Sequence, residues 1–170
     1  MGSSPIDRAD MSKKDLNIFE INPSKASSKI ALSSTMIGVL FFILTLILTL
    51  GPYKFNSFVV FQIVLAIPFL FVSILAYSKI AYWDNNKWWD MLGWFSVNIG
   101  NGFLLNVIGL MVSSIDILLA FIYFGILVFL MSTYSIINLY YSRTFSSKLF
   151  KFFFFMAILV FGGILPLFLK

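Results

Sequence analysis

Five long runs without a charged residue alternate with short polar or charged stretches along the chain: Ile30–Leu50, Phe55–Ser78, Met91–Ile115, Ile117–Ser142 and Phe152–Leu169. The runs are 18 to 26 residues long, and a helix needs about 20 apolar residues to cross a hydrocarbon core about 30 Å thick. A barrel strand needs only about 9–11 residues and alternates apolar with polar positions. These runs are continuous. The pattern therefore predicts an all-α, polytopic integral membrane helix bundle with five transmembrane helices at approximately 30–50, 55–78, 91–112, 117–141 and 152–169. They form one membrane domain, residues 30–170, behind a tail at 1–29.

The breaks carry their own physical signals. Gly51-Pro52 ends the first run, because proline lacks the amide donor and restricts the residue before it. Asp84-Asn85-Asn86 with Lys87 marks a loop, and Ser113-Ser114-Ile115-Asp116 a tight turn in which Ser114 or Asp116 is placed to cap the fourth helix. Arg143, Lys148 and Lys151 flank a Ser-rich link to the fifth. Pro68 and Pro166 fall inside spans, where membrane helices accept them as kinks. Ahead of the first span, Met1–Asp10 reads as a leader before a start at Met11, and Asp15–Ile21 as a polar tail.

Orientation follows from the basic residues. The tail and the second and fourth loops hold ten of the twelve lysines and arginines, leaving Lys54 and Lys170 for the other side. The positive-inside rule then places the N-terminus in the cytoplasm and the C-terminus outside. Tyr53, Tyr77, Tyr82, Trp83, Trp88, Trp89, Tyr140 and Tyr141 collect at span ends, where amphipathic rings anchor to headgroups. An offset of 64 residues pairs Gly38 with Gly102 and Leu40 with Leu104, but aromatic-then-basic helix endings recur at any such interface and do not require a duplication.

Composition narrows the chemistry. Of the 170 residues 60% are hydrophobic and 11% charged, against about 25% charged in soluble chains. The net charge of +5 sits beside apolar spans, where it reads as topology and anionic-headgroup contact and not as a nucleic-acid footprint. The chain has neither cysteine nor histidine. That removes the disulfide, the thiol nucleophile, the imidazole base and the commonest metal ligands. The spans contain no acid, so a membrane-depth carboxylate pair or proton relay is missing as well. No enzyme activity, cofactor or metal is expected.

One helix face stands out. In the third run Asn98, Asn101, Gly102, Asn106, Gly109 and Ser113 share about 140° of arc at 100° per residue. Asparagines facing lipid would leave amides unsatisfied in hydrocarbon, at about 2–7 kcal/mol per group. The face therefore looks at neighbouring helices, a second copy of the chain, or water. Small residues with amides are ordinary packing devices in membrane bundles; the competing reading is a solute path. The fourth run has a weaker stripe, Ser132, Ser135, Asn138 and Ser142, expected mainly to bond back to its own helix. Asp116 is the one acid on the outer side, read as a helix cap ahead of a cation site, and Asp84 and Asp90 as a solvated loop balanced by Lys87.

Two functional classes follow. The first is a non-catalytic small subunit or scaffold of a membrane complex, with the bilayer and other membrane subunits or copies of itself as partners. The second is a small oligomeric channel or facilitator lined by the third-helix asparagines.

Overall fold

The structure is a computed structural model that describes residues 23–51, 55–82, 87–140 and 145–169. The expected Met1–Asp10 leader, the Asp15–Ile21 segment, the Asp84-Asn85-Asn86 loop and the anchors Tyr53, Trp83 and Tyr141 lie outside these residues. The described residues are helical with no strand, in the order α1 (Pro23–Leu50), α2 (Ser57–Tyr82), α3 (Lys87–Ser113), α4 (Ile117–Tyr140) and α5 (Phe145–Leu159), the last running through a π-helical segment (Val160–Ile164) into a final turn, α6 (Leu165–Phe168). Five helices are long and apolar enough to cross a membrane, and the chain is a multi-pass integral membrane protein.

Several helices begin before, or end beyond, the apolar runs. α1 starts at Pro23, α2 continues to Tyr82 and α3 starts at Lys87. The added turns carry lysine and aromatic side chains, whose stems lie along the helix while their polar ends stay wet, so helix continues where the hydropathy pattern stops. At the other end α1 terminates on Gly51, which adopts φ 97° and donates its N–H to the Ile47 carbonyl at 3.0 Å. Only glycine takes that left-handed conformation without steric cost.

α3 is the central helix. It packs against α2, α4 and α5 and touches α1. Half of its most apolar stretch is buried inside the protein, against a third or less for every other span. It is also the least apolar of the five, as a helix sheathed by protein and not by lipid can be. Its glycines admit its neighbours: an added Cβ on Gly93 would lie 3.0 Å from the Tyr77 ring, one on Gly100 would lie 2.6 Å from Leu70, and Gly102 and Gly109 are closed in by Ile158 and Phe124. The α3 side opposite its polar face is buried too, through Val97, Leu104, Val107 and Leu110. α1 joins the bundle through α2, where Ser33 and Ser73 share a buried 2.8 Å hydrogen bond. Gly38 meets nothing within 4 Å, so it and Gly102, the pair at the 64-residue offset, occupy unlike places.

Candidate functional site

The third-helix polar face divides by depth into two parts. In its second half the side chains are packed within the chain, with Asn106 Oδ1 buried and without a hydrogen-bond partner. Asn106, fully buried, donates its amide to the Ile158 carbonyl of α5 at 3.0 Å. Gly102 receives Ile158 and Gly109 receives Phe124. Ser113 bonds back to the Leu110 carbonyl at 2.7 Å.

The partner of Asn106 is an irregular stretch of helix. The Leu165 N–H reaches the Val160 carbonyl, five residues back, which defines the π segment. Pro166 follows, and having no N–H it cannot serve the carbonyl four residues before it, that of Gly162. Gln62 of α2 donates its side-chain amide to the Gly162 carbonyl at 2.5 Å. Asn106 and Gln62 thus hold two carbonyls of the fifth span about one turn apart, those of Ile158 and Gly162. A Cβ on Gly163 would lie 2.6 Å from Asn106 Oδ1, and one on Gly162 would run into Asn106 Nδ2. The glycines let the two amides reach the backbone. Gln62, one amide in an otherwise uncharged run, has no periodic partner that would single it out in the sequence.

In its first half α3 behaves differently. Asn98 and Asn101 line a cavity of about 560 Å³. Asn98 bonds its amide back to the Trp94 carbonyl at 2.6 Å, and Asn101 Oδ1 is buried without a hydrogen-bond partner. Ser135 of α4 lines the same cavity and is buried, so the fourth-helix stripe meets the third-helix face at this depth. Lys29 from the start of α1 and Lys148 and Lys151 from the start of α5 complete the polar wall, with Trp94 and Tyr134 beside them. Lys151 Nζ stands over the Trp94 ring, 5.1 Å from its centroid. In the sequence these lysines read as topology and anionic-headgroup contact; that three of them converge on one cavity depends on helix packing.

Of the remaining stripe, Ser132 is half-buried outside the cavity lining, while Ser142 and the side chain of Asn138 lie outside the described residues. Asp116 caps α4, its Oδ1 accepting the Leu118 N–H at 2.8 Å; it is exposed. Asp90 requires a correction. It does not lie in a solvated loop: α3 already begins at Lys87, and its first turn tucks Asp90 into the bundle, 1% exposed. Neither carboxylate oxygen has a hydrogen-bond partner, and Lys151 is the opposite charge acting on it. Among the described residues no group of three His, Cys, Asp or Glu is placed to hold a metal.

Comparison with family models, characterised proteins and solved structures gives no match to this chain, so its function is argued from this geometry alone.

Proposed function

We propose that the chain is a non-catalytic integral membrane protein, a small subunit or scaffold of a membrane complex. The observation that carries this reading is the fate of the third-helix polar face. Gly102, Gly109 and Ser113 are taken up by contacts within the chain and Asn106 is fully buried against α5, so below the cavity α3 is closed by packing where a lined path would need accessible polar groups. Amide clamps and glycine contacts of this kind make a fixed bundle, suited to presenting its lipid-side faces to partners. The sequence adds the absence of histidine and cysteine, which leaves few groups for nucleophilic or acid–base chemistry.

A second reading, a small oligomeric channel, is favoured by one observation: Asn98 and Asn101 line an accessible cavity. Gentle purification from native membranes, followed by mass and composition of what co-elutes, separates the two. The subunit reading expects a foreign membrane protein in fixed stoichiometry. A pure homo-oligomer that conducts a solute in liposomes, and loses flux but not assembly on Asn101→Leu, overturns it.

A further inference from the structure

We propose that the cavity between α1, α3, α4 and α5 seats the phosphate headgroup of an anionic phospholipid. Its volume, about 560 Å³, lies within the range of about 300–1,000 Å³ usual for small-molecule sites. Its charge is one-sided. Lys29, Lys148 and Lys151 contribute to the wall, and no acidic residue does. Lys148 and Lys151 are close enough for their charges to repel. Asp90, which is not part of the lining, answers one of these charges, that of Lys151. Lys29 and Lys148 have no acidic partner among the described residues. All three ammonium groups sit on half-buried side chains, where water screens them less than at an open surface. An anion entering the cavity relieves that repulsion, and a lysine ammonium offers a phosphate a point charge with three rotatable donors.

The rest of the lining identifies the source of the phosphate. Asn98, Asn101 and Ser135 add to the polar lining, while Leu104, Leu105 and Phe155 make part of it apolar. A free inorganic anion gains nothing from that apolar wall, whereas a lipid places its headgroup among the lysines and an acyl chain along the leucines. The location agrees: the cavity lies near the starts of α1 and α5, where Lys29, Lys148 and Lys151 line it with Trp94 and Tyr134 beside them, the residue types that favour an anionic headgroup. The inference does not depend on whether the chain joins a complex.

The test is native mass spectrometry of the full chain in mild detergent, titrated with phosphatidylglycerol or phosphatidylcholine. One phosphatidylglycerol per chain should be retained, with a preference over phosphatidylcholine on the order of tenfold. Lys29→Gln combined with Lys148→Gln should reduce retention to the phosphatidylcholine level, while Lys87→Gln, exposed at the start of α3, should leave it unchanged. Should the double variant fail to assemble, Lys148→Gln alone must give a partial loss. Equal retention of the two lipids, or retention that survives the lysine variants, overturns the proposal. So does displacement of the lipid by inorganic phosphate, which would assign the cavity to a free anion.

Discussion

The side-chain amide of Gln62 donates to the carbonyl of Gly162, four residues before Pro166, which has no N–H to offer it. A proline in a membrane helix frees a carbonyl that water cannot reach, and a neighbouring helix must satisfy it. Gln62 and Gly162 are 100 residues apart in the chain, so this bond also fixes how α2 meets the fifth span.

The relationship predicts a specific coupling. Gln62→Leu should destabilise the bundle by about 0.6–2 kcal/mol, the usual worth of an interhelical hydrogen bond in membranes. Pro166→Ala restores an N–H to the Gly162 carbonyl, so in that background the same Gln62→Leu change should cost less. Unfolding in mixed micelles, with all four members of the cycle measured, gives the coupling directly. Strict additivity would mean that Gln62 acts through packing and not through the carbonyl freed by proline.

The glycines divide into two groups with opposite expectations. Gly102→Ala and Gly163→Ala push a methyl into Ile158 and into Phe124 with Asn106, and overpacking of this kind costs about 1–3 kcal/mol. Gly38→Ala and Gly125→Ala add a methyl where nothing lies within 4 Å. These should be neutral or slightly stabilising, through helix propensity of less than about 1 kcal/mol. Thermal unfolding of the four variants in one detergent checks the ranking. A destabilised Gly38→Ala would point to a contact made by a partner at that face.

Topology is open to a direct check. The chain has no cysteine, so single cysteines placed at Ser4 and at Lys170 report without background. With five crossings they should react with an impermeant maleimide from opposite sides of the membrane, the Ser4 site from the cytoplasm. Labelling of both from one side would remove a span.

The five-span architecture was legible because apolar runs of this length have few other homes, and the third helix announced itself by carrying asparagines where lipid would reject them. In the structure Gly102 of this helix lies against Ile158. The depth at which the asparagines change role was not legible. Asn98, Asn101 and Asn106 look alike in sequence, and only the arrival of the Ile158 carbonyl from α5 makes Asn106 a packing residue. Gln62 was invisible for the same reason, since its acceptor is a backbone atom 100 residues away. Asp90 misled because charge patterning marks loops well, but does not show a helix that has already begun at Lys87.

Asp90 and Lys151 supply the last expectation. The carboxylate is buried and without a hydrogen-bond partner, and Lys151 is the cation that offsets it. Removing one member of such a pair leaves an uncompensated charge, at a cost that reaches about 3–5 kcal/mol when both are fully buried. Lys151 is only half-buried and water screens part of the interaction, so the cost here should be a fraction of that. Lys151→Gln should therefore lower stability more than Lys148→Gln, although both remove one lysine from the same cavity. Adding Asp90→Asn to Lys151→Gln should recover most of the loss, because the orphaned charge disappears with it. If Lys151→Gln and Lys148→Gln unfold alike, and Asp90→Asn brings no recovery, the carboxylate is being satisfied by something other than Lys151.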